Sequence, residues 1–512
     1  IFPSVDTGQF QLRLRAPAGK RIEHTEKLTQ RVLAEIEEEI GNGNIAKSIC
    51  YVGAIAPSYP INNIYLWTSG SQDAVMRIAL KHGAGPGLER LMERLRDRLA
   101  RAMPGVQFSF EAGDIVSEVL SLGSPTPIEI AVSGPNLAAN RAHAEAIEKS
   151  LAAIPRLRDL QFGQVLDYPT LDVTLDRARA GFSGVSASEV ARSMVAATSS
   201  SRFTVPSYWA DPRSGIGYQV QIEVPQARMD SVEAIRTVPV KETDQGDVLL
   251  RDVADVRSSA MPGEYDRYNM QRMVTLQSNI IGEDLAAASA EISKALRKTA
   301  QPPAGVNVTV RGEIPLLQQM TRGLSMGLLL AIFVILLLLA AYFESFALAL
   351  VVISSIPAVL AGVGLALFVT GTALSVQSFL GAIMAVGVAV ANAILLVTFA
   401  EQDRRSGKSA RDAALSGAKG RLRAIVMTSA AMIVGMIPTA LGLGETGEQV
   451  GPLGRAVIGG LIAATLATLF VVPCVFAVVQ ANRATTSPSL DPDDPESLYS
   501  SARTAMEPGV TP

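Results

Sequence analysis

Asn392 is the one strongly polar side chain deep inside the uncharged stretch Ala373–Ala400, ALSVQSFLGAIMAVGVAVANAILLVTFA. An amide there can accept or donate a hydrogen bond to a buried carboxyl group, but it cannot titrate, so it can orient a proton relay and cannot carry the proton. The alternative reading is an amide that glues two helices together. Three histidines, His24, His82 and His143, stand far apart with no second ligand at helical spacing, which excludes a zinc site of ordinary type. Cys50 and Cys474 fall in different compartments on this reading, so no disulfide joins them, and lone cysteines read as packing residues. No metal, cofactor or nucleophilic constellation emerges, and no basic stripe points to nucleic acid at a net charge of −3.

The element that must carry Asn392 is a membrane helix. The stretch runs 28 residues without a charge, and about 20 apolar residues at 1.5 Å rise cross a bilayer core. Four further runs, Gly323–Phe343, Phe346–Thr370, Ala424–Gly444 and Ala456–Asn482, are free of charged residues up to their ends. Five such runs close together fit a membrane bundle at 323–482, while 1–322 reads as soluble. The connection Glu401–Arg423 carries Arg404, Arg405, Lys408, Arg411, Lys419, Arg421 and Arg423 against Glu401, Asp403 and Asp412, which makes it cytoplasmic. Counting outward, residues 1–322 lie on the periplasmic side and the C-terminus in the cytoplasm. A translocated domain needs a preceding membrane segment, so more chain is expected before Ile1. The tail 483–512, rich in Pro, Ser and Asp, lacks apolar periodicity and is expected to be disordered.

Ahead of the bundle, Phe10/Leu12/Leu14 alternate as a strand. Leu28, Val32, Ile36 and Ile40 mark a helix face, Ile49–Val52 and Ile64–Trp67 give two strands, Leu88, Leu91, Leu95 and Leu99 a second helix face, and Val106/Phe108/Phe110 a last strand. The order βαββαβ is ferredoxin-like. A second such unit is split: Ile128/Ile130/Val132, Ile147/Leu151/Ile154 and Leu160–Val165 come first, and Val274/Leu276, Leu285/Ile292/Leu296 and Val306/Val308/Val310 complete it later. Between them sits an insertion with strands at Leu171–Leu175 and Tyr218–Val224 and a helix opened by Ser186-Ala187-Ser188-Glu189, a capping box. The fold class is therefore α+β, two ferredoxin-like subdomains with an inserted domain, followed by five transmembrane helices.

This arrangement resembles the C-terminal half of a resistance–nodulation–division (RND) efflux permease. The segments FPSVDTGQF near the start, GEYDRYNMQR (263–272), ANAILLV (391–397), RLRAIVMTS (421–429) and GPLGRAVIGG (451–460) are similar to that family's in this order, and the resemblance covers about Phe2 to Val479. It implies a first porter subdomain at 1–122, a second at 123–167 and 262–315, a docking domain at 168–261, and the eighth to twelfth membrane helices. The seventh helix and the N-terminal half would belong to the same permease outside this sequence. It also implies a homotrimer driven by protons, with a periplasmic adaptor, an outer-membrane channel and inner-membrane lipids as partners. A lysine expected on the tenth helix is Ala391 here. The titrating carboxylates are then expected outside this chain, with Asn392, Arg421 and Thr428 as their neighbours. For cargo, Tyr51, Tyr59, Tyr65, Trp67, Phe108 and Phe110 come from the subdomain that should line a cleft, which favours hydrophobic or amphiphilic compounds. The alternatives are a heavy-metal or lipid exporter, or a half-length subunit without transport of its own. Met92 and Met103 form no soft-ligand cluster with others.

Overall fold

The computed structural model describes residues 8–53, 66, 68–81, 87–113, 121, 123–244, 246–282, 284–442 and 447–482. Strand β1 (Gln9–Arg15) opens a sheet that continues, after helix α1 (Ile22–Ile40), with β2 (Ile45–Val52) and β3 (Asp73–Leu80), and, after α2 (Leu88–Ala102), with β4 (Gln107–Ala112). The order across the sheet is β2-β3-β1-β4, antiparallel throughout. Alternation decides which face the helices cover. Leu12 lies opposite both Met76 and Phe110, and these residues pack with Phe10, Leu14, Val32, Ile36, Leu91, Leu95 and Leu99 into one buried cluster.

The second unit repeats the plan. Strands β5 (Ile128–Ser133) and β6 (Leu157–Phe162) flank α3 (Leu137–Leu151); β14 (Gln271–Ile280) and β15 (Asn307–Gly312) flank α5 (Leu285–Lys298). They pair as β15-β5-β14-β6, with β13 (Asp266–Tyr268) also on β14. Ile130, Val132, Val274, Leu276, Ile147 and Ile292 form the core. The insertion hangs on the pair β7 (Tyr168–Leu175) and β12 (Ala254–Met261). It holds helix α4 (Ala187–Thr198), where Ser186 and Glu189 cap each other reciprocally, and the hairpins β8/β9 (Ser207–Ala210, Gly217–Val220) and β10/β11 (Pro239–Thr243, Gly246–Leu249).

Helix α6 (Glu313–Phe343) leaves β15 at Gly312, whose φ of +81° and whose crowding against the Pro127 carbonyl exclude a side chain. The next span is α7 (Phe346–Ile353) and α8 (Ile356–Val369), broken at Ser354 and Ser355 before Pro357. Then follow α9 (Val376–Arg405), α10 (Ala410–Ala440), α11 (Gly447–Leu466), a π-turn at Ala467–Val471 and α12 (Val472–Gln480) with Pro473 in its first turn. These make five helices long and apolar enough to cross a membrane. Glycines set how closely they pack: a Cβ on Gly459 would meet the Gly362 carbonyl at 2.7 Å, and one on Gly381 the Leu453 carbonyl at 2.8 Å.

The fold class read from the sequence is borne out, and several local assignments are corrected. The partner of β2 is Asp73–Leu80, not 64–67; Leu66 sits in a turn, and the rest of that stretch lies outside the described residues. The period of two in DAVMRIAL is hidden because Val75 is buried as fully as its neighbours Ala74 and Met76. The charged cytoplasmic connection is almost all helix: α9 continues to Arg405, where Glu401 pairs with Arg404 (2.7 Å) and Arg405 (3.3 Å), and α10 starts at Ala410. Charged groups therefore occur within the spanning helices and not only between them. Arg455 is inside α11, donating to the Ala440 carbonyl (3.1 Å) and Thr372 Oγ1 (2.7 Å). Cys50 and Cys474 are exposed rather than packed, and the tail from 483 lies outside the described residues.

Candidate functional site

Each sheet buries one face under its helices and turns the other, polar face toward its twin. On the first sheet that face carries Gln11, Arg13, Arg15, Ser109 and Glu111; on the second, Glu129, Gln161, Thr275, Gln277 and Asn279. Ser109, Arg13, Glu111, Glu129, Thr275 and Asn279 are all at most 5% exposed. The sequence pattern of apolar-in, polar-out thus produces a buried polar seam, where every donor and acceptor needs a partner.

The seam is stitched along the β4/β6 edge. Asn279 Nδ2 donates to Ser109 Oγ (3.0 Å) and to Asp159 Oδ2 (2.9 Å), and the same carboxylate accepts from Arg96 Nη2 (3.0 Å) and the Phe110 amide (3.0 Å). Asp159 holds these partners from a left-handed backbone, φ +54°. Nearby, Arg15 bridges Asp73 (3.0 Å) to the Phe162 and Gly163 carbonyls. Beside it burial, reinforced by Asp266, pushes the Glu264 carboxyl up to about 7.

Where the stitching stops, the seam opens into a cavity of about 340 Å³. Its wall comes from Gln9, Gln11, Ile49, Arg77 and Glu111 on the first sheet, Ser124–Pro127 on the approach to the second, and Glu313, the first residue of membrane helix α6. It is therefore the membrane-proximal end of the seam. Ser124 Oγ also donates to Glu129 (3.2 Å), whose carboxyl is raised by burial against the pull of Arg311.

Two of the aromatic residues expected in a cleft, Phe108 and Phe110, lie in the helix-covered core. Phe110 is 3% exposed in the helix-covered core, stacked on Phe10 at 6.1 Å, and Phe108 packs against the same core. Their parity on β4 points them away from the seam. Tyr51, opposite Val75 on β2, has seam parity and is partly exposed. Tyr59, Tyr65 and Trp67 lie outside the described residues. Sequence reasoning missed Gln11, Arg13, Glu111 and Glu129; the signal was alternation itself, QFQLRLR and QFSFEA, with charges and amides recurring at every second place.

In the bundle, Asn392 is half-buried on α9 and makes no side-chain hydrogen bond among the described residues, and Ala391 is exposed. Two turns further, Phe399 carries the Arg421 guanidinium on its ring at 4.1 Å. Arg421 Nε is buried without a hydrogen-bond partner among the described residues. Thr428 turns its hydroxyl back to the Ala424 and Ile425 carbonyls (3.0 and 3.1 Å). The structure brings Arg421 to α9 but links neither it nor Thr428 to Asn392. Among the described residues no three His, Cys, Asp or Glu side chains stand close enough to hold a metal ion.

Two ferredoxin-like sheets face to face, followed by five helices long and apolar enough to cross a membrane, form the architecture that holds these groups. The chain belongs to the AcrB/AcrD/AcrF family, which it matches over residues 1–480. It is therefore a multi-pass inner-membrane protein. It is 29% identical over 338 residues to the cobalt-zinc-cadmium resistance protein CzcA of Cupriavidus metallidurans, covering 65% of this chain and 31% of the relative. To the nickel-cobalt-cadmium resistance protein NccA of Alcaligenes xylosoxydans xylosoxydans it is 28% identical over 400 residues, 76% of this chain and 36% of that one. The fold is that of a heavy metal efflux pump crystal structure, with a TM-score of 0.80 at 23% identity over 94% of this chain and 48% of the other. The chain thus spans less than half of each of these proteins.

Proposed function

We propose that this chain is part of a proton-driven RND efflux permease whose cargo is a metal cation, moving through the seam between the two ferredoxin-like units. The observation that carries the reading is the Glu111 carboxylate, with the amides of Gln9 and Gln11, on the wall of the membrane-proximal cavity, beside Phe10, Ile49 and Ile78. The relatives named for cobalt, zinc, cadmium and nickel resistance support the same cargo. Metal cations therefore take precedence over the amphiphiles favoured by the aromatic content. The α+β region lies in the periplasm and the C-terminus in the cytoplasm, on the strength of the basic residues around Ser406–Ser409. The exposed stripe Leu380, Met384, Leu395 and Phe399 on α9 faces the N-terminal half of the same permease, which supplies the titrating carboxylates to Asn392 and Arg421. A homotrimer, an adaptor and an outer-membrane channel complete the assembly.

The test is resistance in a metal-sensitive, efflux-deficient host expressing the complete permease. The minimal inhibitory concentrations of Co²⁺, Zn²⁺, Cd²⁺ and Ni²⁺ are expected to rise while those of detergents and dyes stay level. The reverse pattern would return the cargo to amphiphilic compounds.

A further inference from the structure

Where α9 ends and α10 begins, basic residues outnumber acidic ones, and the acidic ones are already engaged. Glu401 pairs with Arg404 and Arg405, Asp403 pairs with Lys408 (2.9 Å), and Asp412 accepts the Ser409 hydroxyl (2.6 Å) in the first turn of α10, next to Arg411. Arg421 lies on the Phe399 ring. Lys419 and Arg423 remain, two and three turns further along α10 than Asp412. Both are exposed, and neither has a hydrogen bond or ion pair among the described residues.

A helix turns about 100° per residue, so Lys419 and Arg423, two residues either side of Arg421, stand about 160° away from it and close to one another. The Arg421 side, with Thr428 two turns on, is the one proposed to meet the N-terminal half. A third side, Ala413, Ala414, Gly417, Ile425 and Ser429, is buried, with Gly417 against Ala400 of α9. The Lys419 side is left over. Along it, deeper in the span, come Leu422, Val426, Val434 and Ile437, which are 42–64% exposed. From Leu422 to Val434 the stripe runs about 18 Å, slightly more than one leaflet of a hydrocarbon core about 30 Å thick.

We propose that Lys419 and Arg423, with the apolar stripe beneath them, form a site for one anionic phospholipid of the leaflet at the basic end of the bundle. The phosphate accepts from the ammonium and the guanidinium, and an acyl chain lies along Leu422, Val426 and Val434. A protein partner on this face would have to bury both cations and supply carboxylates to pair them, at a desolvation cost that a headgroup already in the interfacial layer avoids. The site depends neither on the cargo nor on the orientation of the chain, because the basic end of α10 meets a headgroup layer either way. A lipid held there fixes the depth of α10, and with it the level of Arg421 on the far side.

Native mass spectrometry of the purified, delipidated complete permease, titrated with dioleoylphosphatidylglycerol or dioleoylphosphatidylcholine, tests it. The wild type is expected to bind the anionic lipid about tenfold more tightly than the zwitterionic one. Lys419→Gln combined with Arg423→Gln is expected to lose that preference. Lys419→Arg combined with Arg423→Lys keeps both charges and is expected to retain it, which separates loss of charge from damage to the helix. A wild type without the preference, or a neutral double variant that keeps it in full, overturns the proposal. The occupant is read directly with the photo-crosslinker p-benzoylphenylalanine in place of Leu422, irradiated in native membranes. A phospholipid adduct is expected; a crosslink to the N-terminal half or to a second copy of the chain would give the face to that partner, and the proposal falls.

Discussion

At the scale of single residues, parity on a strand decides more than residue type. Phe108, Phe110 and Tyr51 look equivalent as aromatic candidates, yet the two phenylalanines share the face of Leu12 and Met76, while Tyr51 shares that of Arg13. The alternation was legible in the sequence; that the polar face would meet a second polar face rather than water was not, because period two is the same for both. Met270 shows backbone geometry setting a similar limit. Tyr268 pairs with Gln271, so Asn269 and Met270 form a two-residue hairpin loop, both at positive φ (+47° and +65°). Such loops favour glycine at the second place, and Met270 is 86% exposed with little packing to lose. Met270→Gly is expected to stabilise the α+β region by about 1 kcal/mol, raising its thermal midpoint by about 2 °C. Scanning fluorimetry on the purified protein checks it; an unchanged or lower midpoint would show that Met270 has a contact this chain alone does not provide.

At the scale of elements, the junctions explain both what could be read and what could not. The ferredoxin-like order, its interruption and the five spans follow from apolar periodicity and run length, which are local properties. The helical continuation of α9 to Arg405 does not, since charges at Glu401, Arg404 and Arg405 read as a loop until their i+3 and i+4 pairing is seen. The stitching of β1 to β6 through Arg15, with Asp73, Glu264 and Asp266 around it, is likewise a product of segments far apart in sequence, and it titrates. Glu264 is raised from 4.5 to about 7 by burial first and by Asp266 and Asp73 next, with Arg15 opposing. A carboxyl raised in the folded state binds its proton more tightly there than in the unfolded chain. Its contribution is fully present below pH 4.5 and is lost as the pH climbs through 7. Glu264→Gln, neutral at every pH, is expected to be more stable than the wild type at pH 8 and to lose that advantage by pH 5. Solvent at this partly exposed site reduces the difference to about 1–2 kcal/mol. Parallel unfolding curves for both proteins from pH 5 to 8 would show that Glu264 titrates normally.

At the scale of the whole molecule, the sidedness of the membrane fixes what the seam can do. The cavity is bounded by Gln9 at the start of β1, by Glu111 near the end of β4 and by Gly113 just beyond it. On the proposed export reading, cargo reaches it from the periplasm only if the α+β region lies on that side. The orientation rests on Arg404, Arg405, Lys408, Arg411, Lys419, Arg421 and Arg423 gathering at one end of α9 and α10. Arg455, the single cation in α11, is tied to Ala440 and Thr372 at the opposite end, so it does not compete with them as a topology signal. Exposed positions on either side test the arrangement directly. Ser258 on β12 and Ser406 between α9 and α10 are both exposed, and Cys50 and Cys474, also exposed, have to be replaced by serine first. In spheroplasts with an intact inner membrane, a membrane-impermeant maleimide is expected to label Ser258→Cys and to leave Ser406→Cys unlabelled until the membrane is opened. Labelling of Ser406→Cys alone would invert the topology. It would place the seam in the cytoplasm, and the periplasmic entry proposed for this cavity would then be excluded.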